Sequence, residues 1–278
     1  MSDVSSDGRL PRPFYEDGWT RAQRPHARAL WDFHVALTDP YAPALDGSDL
    51  AAYFSAEHEG VLERRTLNVV SEDVARAAYA ACEEAWLPLV HLAEQVQASE
   101  AFRVPARYPD NAAINAFVQS WAGSHVRLLA HLAGATGSWQ LKFADEFGRA
   151  FFWVGRLMTL KKDLDQDRLF IPEADLEQHG VSTEQLREGR PDENVKRLLW
   201  KQTIRAKNAF AMAEPLAREL PRRQSDAMKR WWLGGLEVLN EIRRRGFDVW
   251  TDPVTLSVRH RIQVRFQARF GRTTFRSQ

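Results

Sequence analysis

The sequence predicts an all-α, single-domain fold, and three observations lead there. Apolar residues recur at the helical period along most of the chain. No alternating run of strand length occurs, and neither an internal repeat nor a low-complexity linker divides the sequence. The 278 residues, 44% hydrophobic and 27% charged, suit one large soluble core.

The elements follow in chain order. The first dozen residues, "MSDVSSDGRLPR", are polar and are expected to be disordered, with the folded unit over 13–270 and a flexible end at 271–278. "RPHARALWDFHVAL" (24–37) sets Trp31, Phe33 and Leu37 among polar residues and stops before Pro40. The alanine-rich "SEDVARAAYAACEEAWLPLVHLAEQVQ" (71–97) opens on Ser71 and Asp73, whose side-chain oxygens suit a helix start. "PDNAAINAFVQSWAGSHVRLLAHLAGA" (109–135) has its cap at Asp110. "WQLKFADEFGRAFFWVGRLMTLKKDL" (139–164) is apolar around most of its circumference and reads as a central helix touched on several sides. Ser182 and Gln185 stand at capping-box spacing. Two long helices close the fold, over 192–220 and 222–246. The second ends in Arg243, Arg244 and Arg245 before Gly246, a cationic stop that suits the negative end of a helix. A basic tail, "RHRIQVRFQARFGRTTFRSQ", comes last.

Composition removes several function classes. A net charge of +1 gives no broad electrostatic case for nucleic acid. One cysteine, Cys82, rules out an internal disulfide and fits a reducing compartment. No apolar run is long enough to span a bilayer, and the N-terminus lacks an apolar signal core, so a cytoplasmic location is expected. Peripheral membrane contact is a further expectation, from the basic tail with its Phe266 and Phe270. The eight histidines show no zinc spacing; His58 lies between Glu57 and Glu59, where neighbours cannot face one site on a helix. No phosphate-cradling glycine loop is present.

The chemistry-bearing stretch is "TLKKDLDQDRLFIPEADLEQHGVS" (159–182). Asp163, Asp165 and Asp167 alternate after an apolar helical run. Asp163 and Asp167 share a face if the helix continues that far, with Arg156 two turns earlier and Lys162 adjacent. The same residues, with Lys161, also read as the solvated end of a helix.

Several blocks together resemble the squalene/phytoene synthase family. "SWAGSHVRLLAHLAGA" is similar to its Ser-x-Ala-Gly-x-Val-Gly pattern, with His125 inserted into the usual spacing. "ADEFGRAFFWVGRLMTLKKDLDQDRLFIPEADLEQHGVS" resembles its second acidic helix, which runs into Gly-Arg-x-Tyr-Leu-Pro, then Asp-Leu, then Gly-Val-Ser. "LEVLNEIRRRGFDVWTDPVTLS" resembles its C-terminal Arg-Gly-Tyr-Asp-Val block, and "PFYEDGW" and "ARALWDFHVALTDP" echo its N-terminal helices.

The resemblance implies an isoprenoid-synthase helical bundle around a central apolar cavity. It also implies allylic diphosphate substrates, two aspartate motifs on facing helices and bridging magnesium ions. Carried onto this chain, Asp39 and Asp163 become catalytic, and Asp39, Asp163 and Asp167 magnesium ligands. Arg156, Lys162, Arg168 and Arg205 hold diphosphate, with Lys201 one turn from Arg205. Trp31, Phe33, Trp121, Phe152 and Trp153 line the cavity and stabilise an allylic cation. Each has a plainer reading: aromatic core, a surface Lys201–Arg205 pair, an Arg168 paired with a nearby acid, and an Asp39–Pro40 turn.

The chain also departs from the family pattern. Each family motif is Asp-x-x-x-Asp. Here the first falls at "TDPYA" (38–42), leaving Asp39, and the second at "TLKKD" (159–163), with Thr159 in place of an aspartate. A family asparagine falls near Gly155 and a family tyrosine at Gly235. A site for two or three magnesium ions needs about four placed carboxylates, and one remains per motif. The expectation is a prenyltransferase with one allylic, farnesyl-sized diphosphate, held with fewer ions or none, and a non-diphosphate acceptor such as an indole. Head-to-head condensation, and a non-catalytic relative serving in binding or assembly, stand as alternatives.

Overall fold

The computed structural model describes residues 18–37, 72–102 and 106–270. Asp39 with its "TDPYA" segment, His58, Phe14 to Asp17 of "PFYEDGW" and the two termini lie outside them. Among the described residues the secondary structure is entirely helical. The helices are α1 (Gln23–Ala36), α2 (Glu72–Glu84), α3 (Val90–Ser99) and α4 (Asn111–Val118). They continue with α5 (Ser124–Leu132), α6 (Ser138–Met158), α7 (Leu160–Asp165) and α8 (Glu173–His179). The last four are α9 (Thr183–Glu188), α10 (Glu193–Glu219), α11 (Arg222–Arg244) and α12 (Val258–Phe270). None of the described helices is long and apolar enough to cross a membrane.

Ser71 lies outside the described residues, while the caps read at Asp110 and Ser182 form as chemistry requires. Asp110 accepts from the Ala113 amide at 2.9 Å, and Ser182 and Gln185 bond reciprocally at 2.8 and 3.2 Å. Gly246 takes φ +61° beyond the arginine run, closing α11.

Three expected continuous helices are interrupted, each for a local reason. The 71–97 run breaks after Glu84, because Pro88 has no amide proton to give and disfavours the helical conformation at Leu87. The 139–164 run breaks at Thr159, which keeps its amide bond to the Gly155 carbonyl at 3.0 Å but turns to φ −109° and ψ +12°, with its hydroxyl 2.9 Å from Asp163. The 109–135 run contains a π-helical turn at Gln119–Gly123, beside the point where His125 lengthens the family-like motif. A π turn accommodates one extra residue without breaking the helix, which is the physical counterpart of that insertion. It brings His125 and Trp121 against either side of the His34 ring, at centroid separations of 4.1 and 4.2 Å.

α6 is the axis of the bundle. Its buried positions include the consecutive run Phe152 to Gly155, as expected for a helix touched on several sides. Its main partner is α10, with α5 and the π turn on another side and α11 closing the group. The approach to the π turn is close enough to exclude a side chain: a Cβ on Gly148 would lie 2.5 Å from the Ala122 carbonyl oxygen. Gly235, on α11, is similarly constrained, since a Cβ there would meet the Phe210 ring at 2.5 Å. The volume expected for a tyrosine at that position is therefore taken by Phe210, with Phe151 next to it. Cys82 is buried, and burial pushes its thiol up to about 12, so it is an inert part of the core. The basic tail is not wholly extended: α12 buries Val264 and Ala268 and packs on α11.

Gly148→Ala is expected to destabilise the fold by about 2 kcal/mol, because the added methyl meets backbone rather than a movable side chain. Denaturant unfolding checks this, and an unchanged midpoint would mean that α6 and the π turn can separate freely.

Candidate functional site

Two buried carboxylates organise the end of the bundle beyond α6. Asp163, on α7, is 2% exposed, and Asp175, on α8, is 1% exposed. A buried carboxylate persists as a charge only with close partners, and both have them.

Arg156 Nη1 donates to both Asp163 oxygens, at 3.0 and 3.1 Å. The Thr159 hydroxyl lies 2.9 Å from Asp163 Oδ2, and Arg168 Nη2 is 3.4 Å from Oδ1. Arg168 is itself buried and also donates to the Phe102 carbonyl and the Gln166 side chain. Burial draws its pKa below the ordinary arginine value, with Asp163 opposing. The Arg156 guanidinium sits over Phe170, Phe102 and Phe152, at 5.1, 5.6 and 5.7 Å from the ring centroids. Thr159 stands where the sequence resemblance would put a family aspartate. A second carboxylate there would repel Asp163, whereas the hydroxyl binds it.

Asp175 accepts from Gln202 Nε2 and Lys201 Nζ at 2.9 Å each, and pairs with Arg205 Nη1 at 3.0 Å. Burial alone would raise its pKa; Gln202, Lys201 and Arg205 together hold it below the usual carboxylate range. Arg205 also lies 4.9 Å from the Trp153 ring and reaches Gln202 and Asn111. Gln202 and Trp153 join the two clusters, because both line one small pocket with Arg156, Asp163, Leu160 and Phe170. Its free space is about 280 Å³, part of it open to solvent. A larger pocket of about 410 Å³, also partly open, lies between α5, α6, α10 and α11. Trp19, Leu129, Phe147, Met228 and Trp231 line it, and Gln224 contributes an amide.

The acids of the sequence motif do not converge. α7 ends at Asp165, so Asp167 leaves the Asp163 face; its φ is +53° and its carboxylate turns outward. There it pairs with Arg107 and Arg187 at 2.6 Å each, and Arg107 above all lowers its pKa. Asp165 and Lys162 are exposed. Among the described residues no three His, Cys, Asp or Glu side chains group to hold a metal ion. The described donors do not fit a magnesium cluster: Asp163 stands alone, with Arg156 spanning both oxygens and Thr159 on one of them. Of the expected cavity aromatics, Trp153 borders the small pocket. Phe152 and Trp121 are buried in ring contacts with Phe117, Phe170 and Phe102, and Trp31 and Phe33 are buried on α1.

Asp175 and Gln202 did not emerge from the sequence as site residues. A signal for Asp175 was present in the Asp-Leu of the family-like block; none marked Gln202.

The chain matches the squalene/phytoene synthase family over residues 17–266. Its fold is similar to squalene synthase HpnC from Alicyclobacillus acidocaldarius (TM-score 0.74, 20% identity, 85% of this chain and 89% of that one). It is also similar to a dehydrosqualene synthase solved with a ligand (0.78, 15%, 93% and 90%). A third similar structure is YisP from Bacillus subtilis strain 168 (0.62, 15%, 88% and 98%). No curated protein matches the sequence.

Asp163→Ala would leave Arg156 and Arg168 facing each other, and is expected to cost about 3 kcal/mol or more in denaturant unfolding. A loss within about 0.5 kcal/mol would mean that water already neutralises the cluster. The lowered pKa of Asp175 means its stabilisation is complete above the unfolded carboxylate pKa and is lost as pH falls through the folded value. The stability gap between the native chain and Asp175→Asn should therefore be widest near neutrality and narrow in acid. A gap constant from pH 7 down to about pH 2 would remove the ion pairs as its cause.

Proposed function

The chain belongs to the squalene/phytoene synthase family, whose members use prenyl diphosphates, and on that premise we propose that it is a prenyltransferase taking one allylic diphosphate, of farnesyl size. The acceptor carries no diphosphate, and an aromatic such as an indole fits. One observation carries this reading: Asp163 and Asp175 are each overmatched by two cations. Arg156 and Arg168 bracket Asp163, and Lys201 and Arg205 bracket Asp175, which leaves two positive charges beyond the two carboxylates. An anionic headgroup complements that surplus, and guanidinium groups suit phosphate oxygens.

In this reading Arg156, Arg205 and Lys201 hold the headgroup, with Lys162 adding charge from the exposed side of α7. The allylic C–O bond breaks with both electrons leaving on the diphosphate, whose growing charge the cations take up. Trp153 offers its ring face to the allylic cation. The acceptor then donates an electron pair to the allylic carbon and loses a proton to water. Asp163 acts by orienting Arg156. Family members generally use magnesium; the described donors do not fit a cluster, so no step here passes through it.

The interlocked rings of Phe102, Phe117, Phe152 and Phe170 favour a second reading, a non-catalytic relative that keeps the fold for binding. Thermal unfolding with farnesyl diphosphate, in EDTA and in magnesium, separates the two. The transferase reading expects a rise of about 5 °C at a hundredfold excess over Kd, persisting in EDTA and lost in Arg205→Ala. It also expects prenylated indole by mass spectrometry. A rise that requires magnesium would favour head-to-head condensation with acids outside the described residues. No rise with prenyl diphosphates from ten to twenty carbons would leave the non-catalytic reading.

A further inference from the structure

We propose that the end of the bundle opposite Asp163 is a docking surface for an anionic lipid bilayer. The helix α6 is 21 residues long, about 30 Å, with Asp163 beyond its C-terminal end. Side-chain contacts gather the other chain segments around its N-terminal end. Gln23, opening α1, donates to the Leu132 carbonyl at 2.7 Å, and Gln224, opening α11, donates to Gln23 at 3.2 Å. Glu84, closing α2, is 3.8 Å from His26, and the His91 ring on α3 is 6.0 Å from that of His131. Arg269, near the end of α12, reaches Asp226 at 2.8 Å.

Large apolar side chains stand in solvent at this end. Trp86 is 93% exposed, Trp139 67%, Phe266 65% and Val90 57%. Trp86 is the most telling. It holds φ +55°, a conformation that bulky residues rarely adopt, and it gains almost no packing in return. Its φ closes α2, where the Leu87 amide bonds the Cys82 carbonyl at 2.8 Å, and a bulky aromatic left in solvent at such a cap suits a partner outside the fold. Tryptophan suits a bilayer interface, with its ring among acyl chains and its N–H near headgroups.

Charge selects among partners. Arg21, Arg24, Lys142, Arg222 and Arg223 are exposed here, and none makes an ion pair among the described residues. Among the described residues Glu83, which accepts from the Tyr79 hydroxyl at 3.1 Å, and Glu219 are the acids at this end with no basic partner, since Glu84 has His26 and Asp226 has Arg269. Lys142 lies 4.4 Å from the Trp139 ring, so cation and ring are presented together. Basic groups interleaved with exposed aromatics match a surface of acidic headgroups over an apolar layer. The larger apolar pocket lies at the same end, bordered by Trp19, Ala133 and Leu220. The docking surface stands or falls independently of the reaction at the Asp163 end.

The test is co-sedimentation of the full chain with vesicles. Binding is expected to vesicles of phosphatidylglycerol and phosphatidylcholine, and to be at least tenfold weaker to phosphatidylcholine alone. The combined Trp86→Ala and Trp139→Ala variant should lose tenfold or more in affinity with an unchanged circular dichroism spectrum. Arg222→Glu with Arg223→Glu should do the same. Trp200→Ala, an exposed tryptophan on α10 beside Lys201, should bind as the native chain does. Equal loss in Trp200→Ala would overturn the assignment to this end. So would no sedimentation with either vesicle, or native affinity in the double tryptophan variant. A dimer in sedimentation velocity that the double variant abolishes, without vesicle binding, would make the surface a contact between copies of the chain.

Discussion

A carboxylate as buried as Asp163 must be neutralised where it stands, and the polar end of this bundle is arranged around that requirement. Arg156 meets it from the last turn of α6, Thr159 from the break between helices, and Arg168 from the strand of chain that follows α7. Each partner fixes something else in turn. Arg156 is held among the faces of three phenylalanines, and Arg168 ties the Phe102 carbonyl to the α7 region. Removing the acid would release both cations into a low-dielectric interior, so the cluster is both a structural joint and the centre of any site built there.

The same geometry bears on how a buried acid is satisfied without a second carboxylate. Two facing carboxylates coexist in a buried place only with a metal ion, a shared proton or cationic partners to offset their repulsion. Here the first carboxylate of the second motif is a threonine, and a guanidinium stands against both oxygens of the other. Those two features are mutually consistent, because a hydroxyl and an arginine together satisfy one acid without a metal. Asp175 repeats the pattern one helix later, with Lys201 and Arg205 in the cationic role. Gln202 connects the two clusters by lining the pocket of the first and binding the acid of the second.

α6 gives the molecule its polarity. Near its middle it is pressed against backbone at Gly148, which fixes its distance from the π turn. Its C-terminal end carries Arg156 and leads into the acid cluster. Its N-terminal end emerges at Trp139, among exposed aromatics and arginines. A small pocket at Arg156 and Asp163 and a surface of exposed aromatics and arginines thus stand at opposite ends of one helix.

Local chemistry made much of this legible from residues alone. The helical period, the caps at Asp110 and Ser182, and the glycine stop at Gly246 depend on neighbours within a few positions, so sequence order determines them. Asp163 with Arg156 was readable for the same reason, being two helical turns apart. Tertiary structure decided the rest. Whether Asp167 joins Asp163 depended on where α7 stops, and it stops at Asp165, before reaching Asp167. Gln202, Lys201 and Arg205 meet Asp175 only because α8 folds onto α10. The room at Gly235 was settled by Phe210 from another helix, and the exposure of Trp86 by the break before Pro88. Such outcomes rest on distances between segments remote in sequence, which periodicity and spacing do not encode.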